Sequence, residues 1–234
     1  MTTAPSLAPA PPLPPLPPSQ APTAAEQRFV LTGVDWRTYR VIADALRERH
    51  VRLTFDGENL ELMTVSRLHA SISRLLGRFI VVLTEELGMP ISSGGNLTCE
   101  REDVARALQP DECFYLQNEP LVRQKDHLDF ATDPPPDLAV EIDISRSSLD
   151  RLGVYAVLRI PEVWRFDGAT LTVYQRNAEG QYTVVERSQY FPWLPLGELA
   201  GWLRRRTEMD ENSLVRAFRA WVRDLLAQRG SSPG

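Results

Sequence analysis

Pro136-Asp137-Leu138-Ala139-Val140-Glu141-Ile142-Asp143-Ile144 reads as one β-strand with acids on one face. Leu138, Val140, Ile142 and Ile144 alternate, which is the period of a half-buried strand. The other face then carries Ala139, Glu141, Asp143 and Ser145. Glu141 and Asp143 project to the same side, roughly 7 Å apart at their Cα atoms by strand rise. Two acids so placed repel each other, and burying them is costly unless a cation or hydrogen-bond donors compensate. Asp111 follows Pro110 at the start of another short run, Asp111-Glu112-Cys113-Phe114-Tyr115-Leu116. An Asp on one strand and a Glu on the next suit a hard cation such as Mg²⁺, held by one or two carboxylates plus water and phosphate. A single strand acid is more often solvated, and Pro110-Asp111 alone is compatible with a turn. The ordered combination, Pro-Asp and then Glu-x-Asp with a helix following, points instead to a phosphodiester-hydrolysing site.

The composition bounds that idea. A chain of 234 residues, 43% hydrophobic and 24% charged, has length for one core with tails. Its 26 basic residues against 31 acids leave a net charge of −5, which argues against a basic nucleic-acid wrapper. Any DNA contact must rest on a local patch or a bound metal. Cys99 and Cys113 have no CxxC spacing and read as reduced, buried thiols rather than a zinc site. No apolar run reaches the roughly 18 residues of a membrane span. Residues 1–25 carry no charge and so lack the basic start of a secretory signal. A cytoplasmic protein with no membrane partner is the expectation.

Nine of the 19 prolines fall within residues 1–22, so residues 1–25 are expected to be a disordered leader with polyproline II preference. A core domain is expected over 26–190 and a helical extension over 191–234. The spacing of Trp36, Tyr39, Ile42, Ala43 and Leu46 predicts a helix over 34–49. Short strands over 51–55 and 60–65 flank the hairpin signature Asp56-Gly57-Glu58-Asn59. Ser66 is expected to cap a long helix to Leu87, closed by Gly88. Strands are expected near 96–100, after Asp111, over 137–144, and over 162–166, 170–175 and 182–185. Ser147 or Ser148 should cap a helix to about Leu158, and two helices, over 196–206 and 211–227, should close the chain. The stretch through Lys125 to Pro136 reads as an exposed excursion.

Four blocks, in order, carry a family resemblance. They are Asp56-Gly57-Glu58 with Glu61-Leu62-Met63 and His69; Pro110-Asp111; Pro136 to Ile142; and Tyr155 with Pro161-Glu162-Val163-Trp164. Over about residues 30–190 the chain resembles the Uma-type family of bacterial putative restriction endonucleases, within the PD-(D/E)XK nuclease superfamily. The resemblance implies an α/β, restriction-endonuclease-like fold, a mixed central β-sheet flanked by helices with the acids on central strands. It also implies metal binding (Mg²⁺ or Mn²⁺) by Asp111 and Glu141, with the backbone carbonyl of Ile142 as an extra ligand. The implied partner is nucleic acid, DNA first, with a homodimer left open.

One departure matters. The superfamily motif wants Lys two residues after the Glu, and this chain has Asp143 there. Family members often move the lysine onto the following helix, where this chain has Arg151. Arginine stays protonated and cannot act as general base, but it can stabilise charge in a transition state. Lys125 is the other candidate cation. For Arg151, a surface ion pair with Asp150 or Glu162 weighs equally. His69 reads as a satisfied boundary histidine, Glu61 as a nearby or solvent-facing acid, and Tyr155 as packing. Two functions of different class follow. One is a metal-dependent endonuclease using Asp111, Glu141, Asp143 and Arg151 or Lys125. The other is a catalytically inactive descendant of the fold that serves as a binding or assembly module.

Overall fold

The computed structural model describes residues 26–145, 147 and 149–230. The expected leader, residues 1–25, lies outside the described residues, as does Ser148. In chain order the elements are β1 (Arg28–Leu31), α1 (Trp36–Leu46), β2 (Val51–Phe55), β3 (Leu60–Thr64), α2 (Arg67–Leu87), β4 (Ser92–Ser93), β5 (Cys99–Arg101), β6 (Arg106–Leu108) and β7 (Glu112–Tyr115). They continue with α3 (Glu119–Val122), β8 (Leu138–Ile142), α4 (Arg151–Val157), β9 (Glu162–Phe166), β10 (Leu171–Arg176), β11 (Tyr182–Val185), α5 (Leu196–Arg204) and α6 (Glu211–Gly230).

The expected mixed sheet is present, six strands in the order β11-β10-β9-β8-β7-β4. Its one parallel pair is β8 with β9, joined through α4, because parallel neighbours need a crossover of this kind. A second sheet was not expected. It is antiparallel, in the order β1-β3-β2-β6-β5. Two of its strands, β1 and β6, are short and carry no period-2 signal that could announce them.

The alternation of β8 divides its residues as expected, but neither face is open. Leu138, Val140 and Ile142 join the core under α2, with Leu76, Phe79, Leu83 and Trp164. Ala139 on the opposite face packs with Leu108, Val154, Tyr155 and Val163. All five residues of β8 are buried. A strand expected to be half-buried is therefore covered on both sides, and its acids are covered with it. Helices α5 and α6, expected as an extension, share the first of these cores through Leu199, Leu203, Leu214 and Phe218. Phe79 and Phe218 stack with ring centroids 4.0 Å apart.

Local chemistry sets the helix ends. Ser66 Oγ accepts from His69 N at 3.1 Å, and Gly88 closes α2 at φ 63°, a left-handed turn that glycine adopts without strain. The helix after β8 starts later than expected. Asp150 is its cap, accepting from Gly153 N at 3.0 Å, and a Cβ on residue 153 would lie 2.5 Å from Asp150 Oδ2. Ser147 is occupied elsewhere, donating to Glu61.

Glu162, at the start of β9, is fully buried and fixes a distant turn. Its Oε1 accepts from Trp164 Nε1 at 2.7 Å and Ser188 Oγ at 2.6 Å, and its Oε2 from Gln189 N at 2.8 Å. Glu162→Ala strands three donors and should cost about 3 kcal/mol in urea unfolding. Burial pushes its carboxyl above the ordinary 4.5, against the pull of Ser188, Gln189 and Trp164. An acid raised on folding contributes most below its unfolded pKa and loses that contribution as pH rises through its folded value. The stability of the parent relative to Glu162→Gln should therefore fall as pH rises above 4.5. A flat difference across that range would show that the carboxyl is not raised.

Candidate active site

β7 and β8 pair antiparallel with Glu112 opposite Val140, so continuing the register sets Asp111 opposite Glu141. Neighbours across an antiparallel ladder project to the same side. The two acids that the sequence singled out are thus brought together at one end of adjacent strands. Asp111 is 3% exposed and Glu141 8%.

Asp111 is held from three directions. Its Oδ2 accepts from Ile142 N at 2.6 Å. Its Oδ1 lies 3.1 Å from Arg52 Nε and 2.7 Å from His69 Nε2. All three of these last atoms are buried, and none has an aligned hydrogen bond. Burial pushes the Asp111 carboxyl up, but the His69 contact and the Arg52 charge outweigh it and hold it below its ordinary value.

His69 is not a boundary residue. It is completely buried, with Nδ1 2.6 Å from Glu26 Oε1 and Nε2 facing Asp111. A ring between two carboxylates suits the imidazolium, in which both nitrogens donate. Burial alone would lower its pKa, but Asp111 and Glu26 overcome that and raise it.

Glu141 takes its partners from α4. Its Oε1 accepts from Arg151 Nη2 at 2.6 Å and from the Tyr155 hydroxyl. Arg151 is anchored further by the Gln109 carbonyl at 3.1 Å and by Thr54 Oγ1. The surface pair with Asp150 or Glu162 does not form, and Tyr155, expected as packing, bonds the acid directly. Burial pushes Glu141 above its ordinary value and the nearby Asp111 charge adds to that, with Arg151 opposing. Arg151 is held above its ordinary value, because Glu141 and Tyr155 outweigh the burial that would lower it.

Asp143 is bonded to Arg165, its Oδ2 accepting from Arg165 Nη2, and lies 3.9 Å from Arg28. Arg28 also donates to Glu61 Oε1 at 2.8 Å and to Ser145 Oγ at 3.0 Å. Glu61 is 1% exposed and so is not solvent-facing. Lys125 joins none of this. It follows α3, in the connection that leaves β7 at the far end from Asp111, and pairs with Asp133.

A cavity of about 190 Å³ opens beside Glu141 and Asp143, lined also by Arg28, Arg151, Tyr155 and Arg165. A larger hollow of about 590 Å³ against α1 contains neither acid and touches the site only through Arg52 and Gln109.

A family model described as Uma2, putative restriction endonuclease, matches residues 36–208. The chain belongs to this family. Comparison with curated proteins gave no match. The architecture around Asp111 and Glu141 is the restriction-endonuclease-like α/β fold expected of Uma2 proteins. Glu26 and Arg28, which complete the cluster, lie before the matched region.

The donors of this Uma2 chain fit a hard divalent cation in type. Asp111 Oδ1 is a buried carboxylate oxygen without an aligned hydrogen bond, Glu141 is its neighbour by register, and the Ile142 carbonyl follows. No three His, Cys, Asp or Glu among the described residues are grouped so as to hold a metal ion, so water and substrate would complete such a shell.

Sequence reasoning missed Glu26, Arg28, Arg52, Ser147 and Arg165. Only Arg165 left a usable signal. It alternates with Trp164 and Phe166 on a strand, which sets it on the face of Val163 and, by the parallel register, beside Glu141.

Removing one partner of a buried ion pair costs about 3–5 kcal/mol, because the other charge is left unpaired. Arg151→Met should show that loss in urea unfolding, and adding Glu141→Gln should recover most of it. A double variant as unstable as the single one would mean that Arg151 acts through packing alone.

Proposed function

We propose that the protein is a divalent-metal-dependent endonuclease that hydrolyses phosphodiester bonds in DNA. The observation that carries this is the pairing of Asp111 with Glu141 at the ends of adjacent strands, in a chain of the Uma2 family. Asp111, Glu141 and the Ile142 carbonyl would hold Mg²⁺ or Mn²⁺. When bound, such an ion supplies a Lewis acid for the phosphoryl oxygen and lowers the pKa of water to the range where it attacks at neutral pH.

The chain's own residues divide the remaining work. Asp111 is kept ionised by His69 and Arg52, and so stays the carboxylate that a cation needs at neutral pH. Arg151 stays protonated, so its role is electrostatic: a fixed guanidinium on the cavity wall opposes the negative charge that builds on the phosphate. Tyr155 and Thr54 hold Glu141 and Arg151 in place and reduce the reorganisation the reaction needs. Lys125, bound to Asp133, has no part in this mechanism.

A second reading has one observation in its favour. Among the described residues around the acids, five carboxylates (Glu26, Glu61, Asp111, Glu141, Asp143) meet five basic groups (Arg28, Arg52, His69, Arg151, Arg165). With His69 protonated these described groups balance one another, which suits a binding or assembly module as well as an enzyme.

Incubation of plasmid DNA with the full chain and Mn²⁺ decides between them. The endonuclease should nick or cut it, and Asp111→Ala or Glu141→Ala should abolish cutting and weaken Mn²⁺ binding in calorimetry. Arg151→Ala should lower the rate by about 10- to 1,000-fold, the range for removing one electrostatic stabiliser. A parent protein that neither cuts DNA nor binds Mn²⁺, with a Glu141→Ala variant more stable than the parent, would establish the module.

A further inference from the structure

Position 143 carries an acid at the end of β8, and the structure brings an arginine to it from the next strand. Arg165 is the parallel partner of Glu141. Its Nη2 donates to the Asp143 carboxylate. The charge that β8 lacks is thus supplied from β9, one strand over and on the same face.

Resting on the endonuclease reading above, we infer that Arg165 is the residue that binds the substrate phosphate beside the cleaved bond, and that Asp143 occupies its guanidinium until DNA arrives. Among the described residues three arginines line the cavity, and their surroundings separate them. Arg28 and Arg151 are each 12% exposed at the side chain and are committed, Arg28 to Glu61 and Ser145, Arg151 to Glu141, Thr54 and the Gln109 carbonyl. Arg165 is 39% exposed. Among the bonds described it gives Nη2 to Asp143 and makes a contact with Tyr174. A guanidinium has five N–H donors in a flat fork, so donors remain for a second anion.

The size of the cavity agrees. At about 30 Å³ for each water, its roughly 190 Å³ hold about six, room for a phosphate with part of its hydration shell. A phosphodiester presents two oxygens to a guanidinium much as a carboxylate does. Exchanging Asp143 for phosphate at Arg165 therefore keeps the hydrogen-bond pattern there and leaves the displaced carboxylate to Arg28, 3.9 Å away. It also sets a threshold, since an anion must compete with a tethered carboxylate. That competition favours polyanions, whose many contacts act together, over isolated anions, against the opposing net charge of −5.

The test is fluorescence anisotropy of a labelled 20-base-pair DNA duplex over a salt series without divalent metal, followed by steady-state cleavage with Mn²⁺. Arg165→Ala should weaken binding about 10-fold and lower the salt slope by about 0.9, the loss of one phosphate contact. Arg165→Lys should keep the slope, and Asp143→Asn, which removes the competitor, should tighten binding several-fold. In cleavage, Arg165→Ala should raise KM more than it lowers kcat. Should the alanine variant fail to fold, judged by its melting curve, the lysine and Asp143→Asn variants decide. Unchanged affinity and slope in Arg165→Ala, or weaker binding in Asp143→Asn, would overturn the inference and leave the endonuclease reading standing. If the parent binds the duplex but never cuts it, the endonuclease reading falls while the anisotropy series still judges Arg165. A parent that does not bind DNA overturns both.

Discussion

Burial of the carboxylates at the end of β8 is the constraint around which the other elements are arranged. An ionised carboxylate inside a protein is strongly disfavoured unless partners replace its water. Here the partners come from every direction: Arg151 and Tyr155 from α4 for Glu141, Arg52 from β2 and His69 from α2 for Asp111, Arg165 from β9 and Arg28 from β1 for Asp143. These contacts join five different elements to the same strand ends. The second sheet, of which the sequence pattern announced some strands but not their assembly, supplies two of the partners, Arg28 and Arg52, and holds Arg151 through Thr54. Its position over the mixed sheet is thus tied to the charge that the mixed sheet buries.

This division explains what the sequence could and could not convey. The faces of β8 followed from its alternation, and both ends of α2 from Ser66 and Gly88, because these signals are local: a period of two, a side-chain cap, a residue that tolerates positive φ. Asp111 and Glu141 were legible as a pair for the same reason, each lying on a short patterned strand. Their compensating groups were not. Arg28 meets Glu61 across 33 positions and Asp143 across more than a hundred, and its strand is four residues long. His69 showed only its place at the edge of an apolar stripe. A ring at a helix start can face solvent or the interior, and Glu26 and Asp111, which decide between them, come from outside the helix.

The four blocks of the family resemblance turn out to do different physical jobs. Asp56 caps its own hairpin, Oδ1 accepting from Glu58 N and Asn59 N, and Gly57 takes φ 98° there. Pro110-Asp111 and the block ending at Ile142 carry the paired acids. Glu162, in the block Pro161-Glu162-Val163-Trp164, has no contact with them and instead anchors the turn at Ser188 and Gln189. A motif match locates residues that matter without saying whether they matter for chemistry or for the fold. Only the partners each residue meets in the fold make that separation.

Position 143 shows why such a motif cannot simply be repaired. A lysine placed there would stand beside Arg165 and within reach of Arg28, three positive groups where the structure now has one acid between two cations. Close like charges repel, and more strongly where burial weakens solvent screening. A lysine alone at position 143 would therefore meet a penalty from Arg165. Position 143 and position 165 are one electrostatic unit, an acid at the end of β8 and a base on β9. Any variant that changes one of them also tests the other, and the effect of Asp143→Lys is interpretable only beside Arg165→Ala and the double variant, since neighbouring charges of this kind do not act additively.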